Sequence, residues 1–167
     1  LLVAVAASIR LTVTAAETVG AISTHRMWSP VIGNLESRYR VLAPDLLGYG
    51  QSTPWPAGRP LDTALDAEIL VRLAHMAEGP VHLVGHSYGG AAALEAARHL
   101  GSDILSLTLI EPVAFHLLPE AGRITEWEEI SALADAVRAG VSKGELRRAA
   151  AIFMSYWIGR VQWWLMP

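Results

Sequence analysis

The feature that most restricts the fold is residues 81–91, where an apolar run meets a serine flanked by glycines and then an alanine-rich run. Val81 to Val84 has the length and composition of a short buried strand. From Ala91 to Leu100 strong helix formers follow one another, and Gly101 comes directly after them. The stretch therefore predicts a strand that turns sharply into a helix, with Ser87 at the turn.

A serine at such a turn has strained backbone dihedral angles, and its hydroxyl stands clear of the chain. Gly85 and Gly89 keep side chains out of the crowded turn. The backbone N–H of Tyr88 would face the space beside the hydroxyl, at the positive end of the helix dipole, where it could donate to a developing oxyanion. Ser87 is thus a candidate nucleophile and Tyr88 a candidate oxyanion donor. The alternative is an ordinary serine in a tight strand-to-helix loop.

A second motif lies upstream, where a strand pattern at residues 39–44 leads into Asp45-Leu-Leu-Gly-Tyr-Gly-Gln-Ser52. With both motifs, the chain from about Thr24 to Phe115 resembles the α/β-hydrolase family. The resemblance implies an α/β fold with a mostly parallel sheet and flanking helices, and a serine hydrolase that needs no metal or organic cofactor. It also implies that Asp45 braces its loop through backbone hydrogen bonds. A catalytic acid is the alternative role for Asp45.

A serine nucleophile needs a base, normally a histidine that a carboxylate orients. The chain has six histidines, and only His116 lies on a candidate loop after the helix predicted from Ala91 to Leu100. The family order of serine, acid and histidine implies that the base and the usual acid lie after Pro167, so we expect the chain to be a fragment. Glu111 closes an apolar strand and would either orient that histidine or serve as a carboxylate at the pocket rim.

The second oxyanion donor is expected upstream of Trp28. Members of the family usually carry a His-Gly pair ahead of this tryptophan, and counting back reaches Val19 and Gly20, which keeps only the glycine. The resemblance therefore implies that the second backbone donor belongs to Gly20 or Ala21.

Strand patterns alternate with helix patterns as far as residue 118, which predicts parallel pairing. Strands are expected within residues 1–14, 40–44, 81–84 and 104–110, with helices near 29–37 and at 61–78. In the helix at 61–78, four residues share a face that we expect to be the core face: Leu61, Leu65, Ile69 and Leu73.

After residue 118 the pattern is helical alone, so residues 1–118 are expected to form the hydrolase core and 119–167 part of a helical lid. Capping boxes are predicted at Thr125 with Glu128 and at Ser142 with Glu145, and helix ends at Gly140 and Gly159. Three residues are candidates to line the substrate pocket: His86, Tyr156 and Trp157. For the aromatic pair the alternative is packing within the protein.

The composition of the chain disfavours several classes of function. The 167 residues include no cysteine, which removes disulfides and thiol chemistry and suits a cytoplasmic location. A net charge of −3 without a basic stripe disfavours nucleic acid, and no apolar run is long enough to span a membrane. The expected partner is a small-molecule ester, thioester, lactone or activated C–C substrate, and the oligomeric state stays open. A binding protein that uses the hydrolase pocket without turnover is the rival hypothesis.

Overall fold

The computed structural model describes residues 2–7, 10–14, 17–18, 25–77 and 79–158. The chain divides into two compact units, Leu1–Val113 and Ala114–Pro167. In the part described, no helix has the length and apolar character required to cross a bilayer.

A sheet forms the centre of the first unit. Its strands are β1 (Leu2–Ala7), β2 (Arg10–Thr14), β3 (Glu17–Thr18), β4 (Tyr39–Leu42), β5 (Val81–His86) and β6 (Ile104–Ile110). β5 runs parallel to β2, β3 and β6, and β2 also pairs with β4 in parallel, whereas β1 pairs antiparallel with β2, β4 and β5. The mostly parallel sheet with helices confirms the predicted fold class.

The register of β5 and β6 positions the candidate site. His86 at the end of β5 lies opposite Ile110 at the end of β6. Ser87 and Glu111 are the next residues along each strand, so both leave the sheet at the same edge. Ligands of open α/β sheets bind at this edge, beyond the carboxyl ends of the strands.

Helices α1 (Ser29–Leu35), α2 (Thr63–His75) and α3 (Ser87–Leu100) complete the first unit. α2 begins at Asp62, whose carboxylate accepts a hydrogen bond from the Ala64 N–H at 2.8 Å, the arrangement of an N-cap. α3 ends at Gly101, which has a φ of +51°. A left-handed residue after a helix is typically glycine, so this predicted end is confirmed.

The predicted core face of α2 is wrong. Leu61 lies before the helix and is 71% exposed. Leu65, Ile69 and Leu73 are only half-buried, and the face that is fully covered carries Asp66, Ala67, Leu70 and Ala74. This face packs with buried alanines of α3, at positions 92, 93 and 96, in one core cluster. Leu70 is the large apolar side chain on this buried face, between Ala67 and Ala74, whereas Leu65, Ile69 and Leu73 lie beside it.

The second unit contains α4 (Ile124–Ser142) and α5 (Leu146–Ile158). Neither predicted capping box forms. Arg123 occupies the N-cap of α4, and Ser142 lies in the last turn, where its hydroxyl donates to the Ala139 carbonyl at 3.0 Å. Thr125 is the second residue of α4 and Ser142 its last, so neither occupies an N-cap.

Gly140 does not end α4 as predicted, because the helix continues for two more residues, to Ser142. Gly140 is buried instead, and a Cβ built on it would lie 3.0 Å from the Ala149 Cβ. Its lack of a side chain therefore permits the close contact between α4 and α5. Gly144, with a φ of +73°, provides the left-handed turn between the two helices. Gly159 lies outside the described residues.

Candidate active site

Ser87 lies where β5 turns directly into α3. His86 is extended, with φ −116° and ψ 139°, and Ser87 has a φ of +53°. A positive φ in a residue other than glycine costs about 1–3 kcal/mol and is held only by well-determined surroundings. One such restraint is a hydrogen bond from the Val113 N–H to the Ser87 carbonyl at 3.1 Å. The backbone thus has the strained strand-to-helix turn that the sequence motif predicts.

The backbone packs closely around this turn, where Gly85 meets the first turn of α3. A Cβ at Gly85 would lie 2.6 Å from the Gly89 carbonyl oxygen and 2.6 Å from the Gly90 Cα. Gly89 is buried, as expected for the turn. Gly90, which the sequence did not single out, also needs to lack a side chain, because its Cβ would meet the Pro112 Cα at 3.0 Å.

Tyr88 belongs to the first turn of α3, where backbone N–H groups have no partner within the helix. Its hydroxyl lies 3.1 Å from the Asp66 Oδ2 and donates a hydrogen bond to it. The other oxygen of Asp66 accepts from the Leu47 N–H at 2.9 Å. Sequence reasoning missed Asp66, because it lies 22 residues from Tyr88 and nothing in the local pattern links them.

Asp45 holds two loops together. One carboxylate oxygen accepts from the His25 N–H at 2.9 Å and lies 3.0 Å from the His25 Nδ1, and the other accepts from the Gln51 N–H at 3.1 Å. Burial raises the pKa of Asp45, but these hydrogen bonds outweigh it and lower the pKa below its usual value. The carboxylate also fills the space of a Cβ at Gly50, which has a φ of +53°. These contacts are those of a brace.

Glu111 extends from the end of β6 with a φ of +44°. Its carboxylate is 87% exposed and lies 3.9 Å from the His86 Nε2. An exposed acid at this edge is available to contact a further group. His116, the remaining candidate base, is exposed in the short 3-10 helix Phe115–Leu117 of the second unit.

The remaining candidates divide between the second unit and the undescribed residues. Gly20 and Ala21 lie outside the described residues. Tyr156 and Trp157 are 42% and 46% exposed on α5. Trp157 stacks on Phe115 at 6.1 Å between ring centres, and Tyr156 meets Trp157 edge-on at 4.9 Å. Each aromatic candidate therefore has a packing partner within its own unit.

Sequence reasoning also missed a serine–histidine contact in the sheet. The Ser106 hydroxyl lies 2.6 Å from the His82 Nδ1, across β6 and β5. Ser106 lies within β6, next to an irregularity in the pairing of β5 with β6, and lacks the strand-to-helix turn of Ser87. In the part of the chain that is described, no three His, Cys, Asp or Glu side chains cluster closely enough to hold a metal ion.

The model of the alpha/beta hydrolase fold family matches residues 19–153, which include the Asp45 loop, the Ser87 turn and most of both final helices. This chain belongs to that family. The match confirms the resemblance carried by the two sequence motifs.

Two named enzymes are similar to part of this chain. Lipase LipV of Mycobacterium tuberculosis is 35% identical over 96 residues, which cover 57% of this chain and 36% of the lipase. A pimeloyl-[acyl-carrier protein] methyl ester esterase of Methylococcus capsulatus is 38% identical over 84 residues, 50% of this chain and 31% of the esterase. The chain thus spans about a third of the length of these relatives.

A solved structure has the same fold. The crystal structure of an alpha/beta hydrolase from Sphaerobacter thermophilus superposes with a TM-score of 0.62 at 20% identity. It covers 95% of this chain, which in turn covers 58% of that protein. The described elements are therefore part of a larger hydrolase fold.

Proposed function

We propose that this protein is a serine hydrolase that transfers an acyl group from an ester, thioester, lactone or activated C–C substrate through Ser87. The observation that carries the proposal is the φ of +53° at Ser87, at the junction of β5 and α3. A strained backbone at a half-buried serine between a strand and a helix is a feature of sites where a nucleophile must be presented. The lipase and esterase relatives support the same class of reaction.

The proposed reaction begins when the Ser87 Oγ attacks the substrate carbonyl carbon and gives its proton to a base. Negative charge then develops on the carbonyl oxygen, next to the Tyr88 N–H and the N-terminus of α3. Gly20 or Ala21 would supply a second N–H. Collapse of this intermediate breaks the bond to the leaving group, which takes the proton from the base, and water then releases the acyl group from Ser87.

For the base we propose a histidine that follows Pro167, since the family order is serine, acid and histidine. Glu111 is the proposed acid if that acid comes from β6. Residues 119–167 would form part of a lid, and His86, Tyr156 and Trp157 stay candidate contacts for a small-molecule substrate.

Hydrolysis of p-nitrophenyl butyrate tests the proposal, with protein expressed from the complete reading frame. We expect Ser87→Ala to lower kcat by at least about a thousandfold, because the nucleophile is removed. Ser106→Ala is the matched control, since it removes a hydroxyl that touches a histidine in the same sheet, and it should keep wild-type kcat. Equal activity of wild type and Ser87→Ala would contradict the proposal and favour a binding protein without turnover.

A further inference from the structure

Asp66 is a carboxylate, hydrogen-bonded to the Tyr88 hydroxyl, that the proposed reaction does not use. Its side chain is fully buried, and it is the sole buried charged residue among those whose burial is described. Charged residues are rarely buried unless each oxygen has a partner. Both oxygens here have one, the Leu47 N–H and the Tyr88 hydroxyl.

These two hydrogen bonds join three separate parts of the first unit. Asp66 lies on α2, Leu47 on the loop that begins at Asp45, and Tyr88 at the start of α3. The Tyr88 hydroxyl also lies 3.4 Å from the carbonyl oxygen of Asp62, the residue that caps α2. The phenol is therefore held against the first turn of α2.

Tyr88 connects this buried contact to the strained turn. It directly follows Ser87, so its backbone N–H is the proposed oxyanion donor while its side chain reaches down to Asp66. Burial raises the pKa of Tyr88, and the neighbouring Asp66 charge raises it further. The phenol thus keeps its proton, and the hydrogen bond to Asp66 keeps its donor.

We propose that Asp66 is a positioning residue. By accepting a hydrogen bond from the Tyr88 hydroxyl, it fixes the backbone N–H of Tyr88, the proposed oxyanion donor, beside Ser87. The inference rests on the proposed hydrolase function. It explains how a backbone conformation that is unfavourable at Ser87 is kept: one side of the turn is tied by the Val113 N–H and the other by the Tyr88 phenol. A displacement of about 1 Å at such a site can cost about a hundredfold in rate.

The test compares Tyr88→Phe with Tyr49→Phe in the hydrolysis of p-nitrophenyl butyrate. Tyr88→Phe keeps the ring and removes only the hydroxyl that bonds Asp66. Tyr49 also packs against this core, and burial together with the Asp66 charge raises its pKa, but among the described residues its hydroxyl makes no hydrogen bond. We expect kcat to fall about ten- to a hundredfold in Tyr88→Phe with KM within about twofold, and to stay at the wild-type value in Tyr49→Phe.

Variants of Asp66 separate positioning from simple folding. Asp66→Asn keeps an oxygen for the Leu47 N–H and can turn an amide N–H toward the Tyr88 oxygen, so it should retain more kcat than Asp66→Ala. Both changes break the same hydrogen bond, between Tyr88 and Asp66. The double variant Asp66→Ala with Tyr88→Phe should therefore lose no more kcat than the single variant with the larger loss. Urea unfolding of each variant confirms that the rates are measured on folded protein.

The same assay with Ser87→Ala distinguishes two kinds of failure. If Ser87→Ala is inactive and Tyr88→Phe keeps the wild-type kcat, the positioning role is wrong and the hydrolase proposal stands. Equal losses in Tyr88→Phe and Tyr49→Phe also overturn the positioning role. If Ser87→Ala retains wild-type activity, the proposed function and this inference are both overturned.

Discussion

At the scale of single residues, Asp45 shows how one carboxylate can order the loops around Ser87. Its side chain is 8% exposed and accepts hydrogen bonds from backbone N–H groups of His25 and Gln51. Replacing it with asparagine keeps one acceptor but turns an amide N–H toward a backbone N–H. A buried donor left without an acceptor costs about 1–3 kcal/mol, so Asp45→Asn should lower the free energy of unfolding by that amount in urea.

The control for this variant is Asp135→Asn, which changes an aspartate whose side chain is 73% exposed and should leave the free energy of unfolding nearly unchanged. The pH dependence gives a second check. Because the pKa of folded Asp45 lies below its ordinary value of 3.8, its contribution is complete above pH 3.8 and is lost as the pH falls through the folded pKa. Identical pH dependence of wild type and Asp45→Asn would contradict the brace.

The sequence could predict the roles of residues that depend on their neighbours in the chain. Ser87 and Gly85 could be identified because the turn that needs them is formed by adjacent residues. Asp66 could not, because its two partners lie 19 and 22 residues away and a lone aspartate in an amphipathic helix normally faces solvent. Its burial follows only once Ala67, Leu70 and Ala74 are known to define the core face.

At the scale of elements, the junction of β5 with α3 depends on the close approach of Gly85 to the first turn of the helix. Gly85→Ala would place a Cβ 2.6 Å from the Gly90 Cα. We expect it to lower the free energy of unfolding by about 2 kcal/mol or more, because the backbone must move apart.

Gly33→Ala provides the matched control, since a Cβ there meets no heavy atom within 4 Å and Gly33 lies inside α1. It should be neutral or stabilising by up to about 1 kcal/mol, because alanine favours helix more than glycine does. Equal effects of the two substitutions in urea unfolding would be incompatible with the tight junction.

The contact between α4 and α5 depends in the same way on Gly140. Leucine at this position would press against Ala149 and force the helices apart, so Gly140→Leu should destabilise the protein by about 1–3 kcal/mol. Ala136→Leu, on an exposed position of the same helix, is the control for the added volume. Circular dichroism during thermal unfolding measures both, and an unchanged Tm in Gly140→Leu would show that the helices do not meet there.

The elements also show where sequence patterns mislead. The four large side chains of residues 61–73 predicted a helix but the wrong core face, because the buried face of α2 carries Asp66, Ala67, Leu70 and Ala74 instead. Gly140 was interpreted as a helix end, whereas its role is a close crossing. In each case the deciding contact lies on another element, which periodicity within one helix does not reveal.

At the scale of the whole molecule, the family and the fold follow from the order of strands, helices and two loop motifs, and the match over residues 19–153 confirms them. The chain covers 36% of the lipase it resembles. Within this fold, we propose that Ser87 is a nucleophile whose strained backbone presents its hydroxyl for attack.

The most direct measurement is intact and peptide mass spectrometry after treatment of the protein, expressed from its complete reading frame, with a fluorophosphonate. We predict one adduct, located on Ser87, absent from Ser87→Ala and retained in Ser106→Ala. Folded protein that acquires no adduct at Ser87, or that is modified equally in Ser87→Ala, would contradict the assignment of Ser87 as the nucleophile.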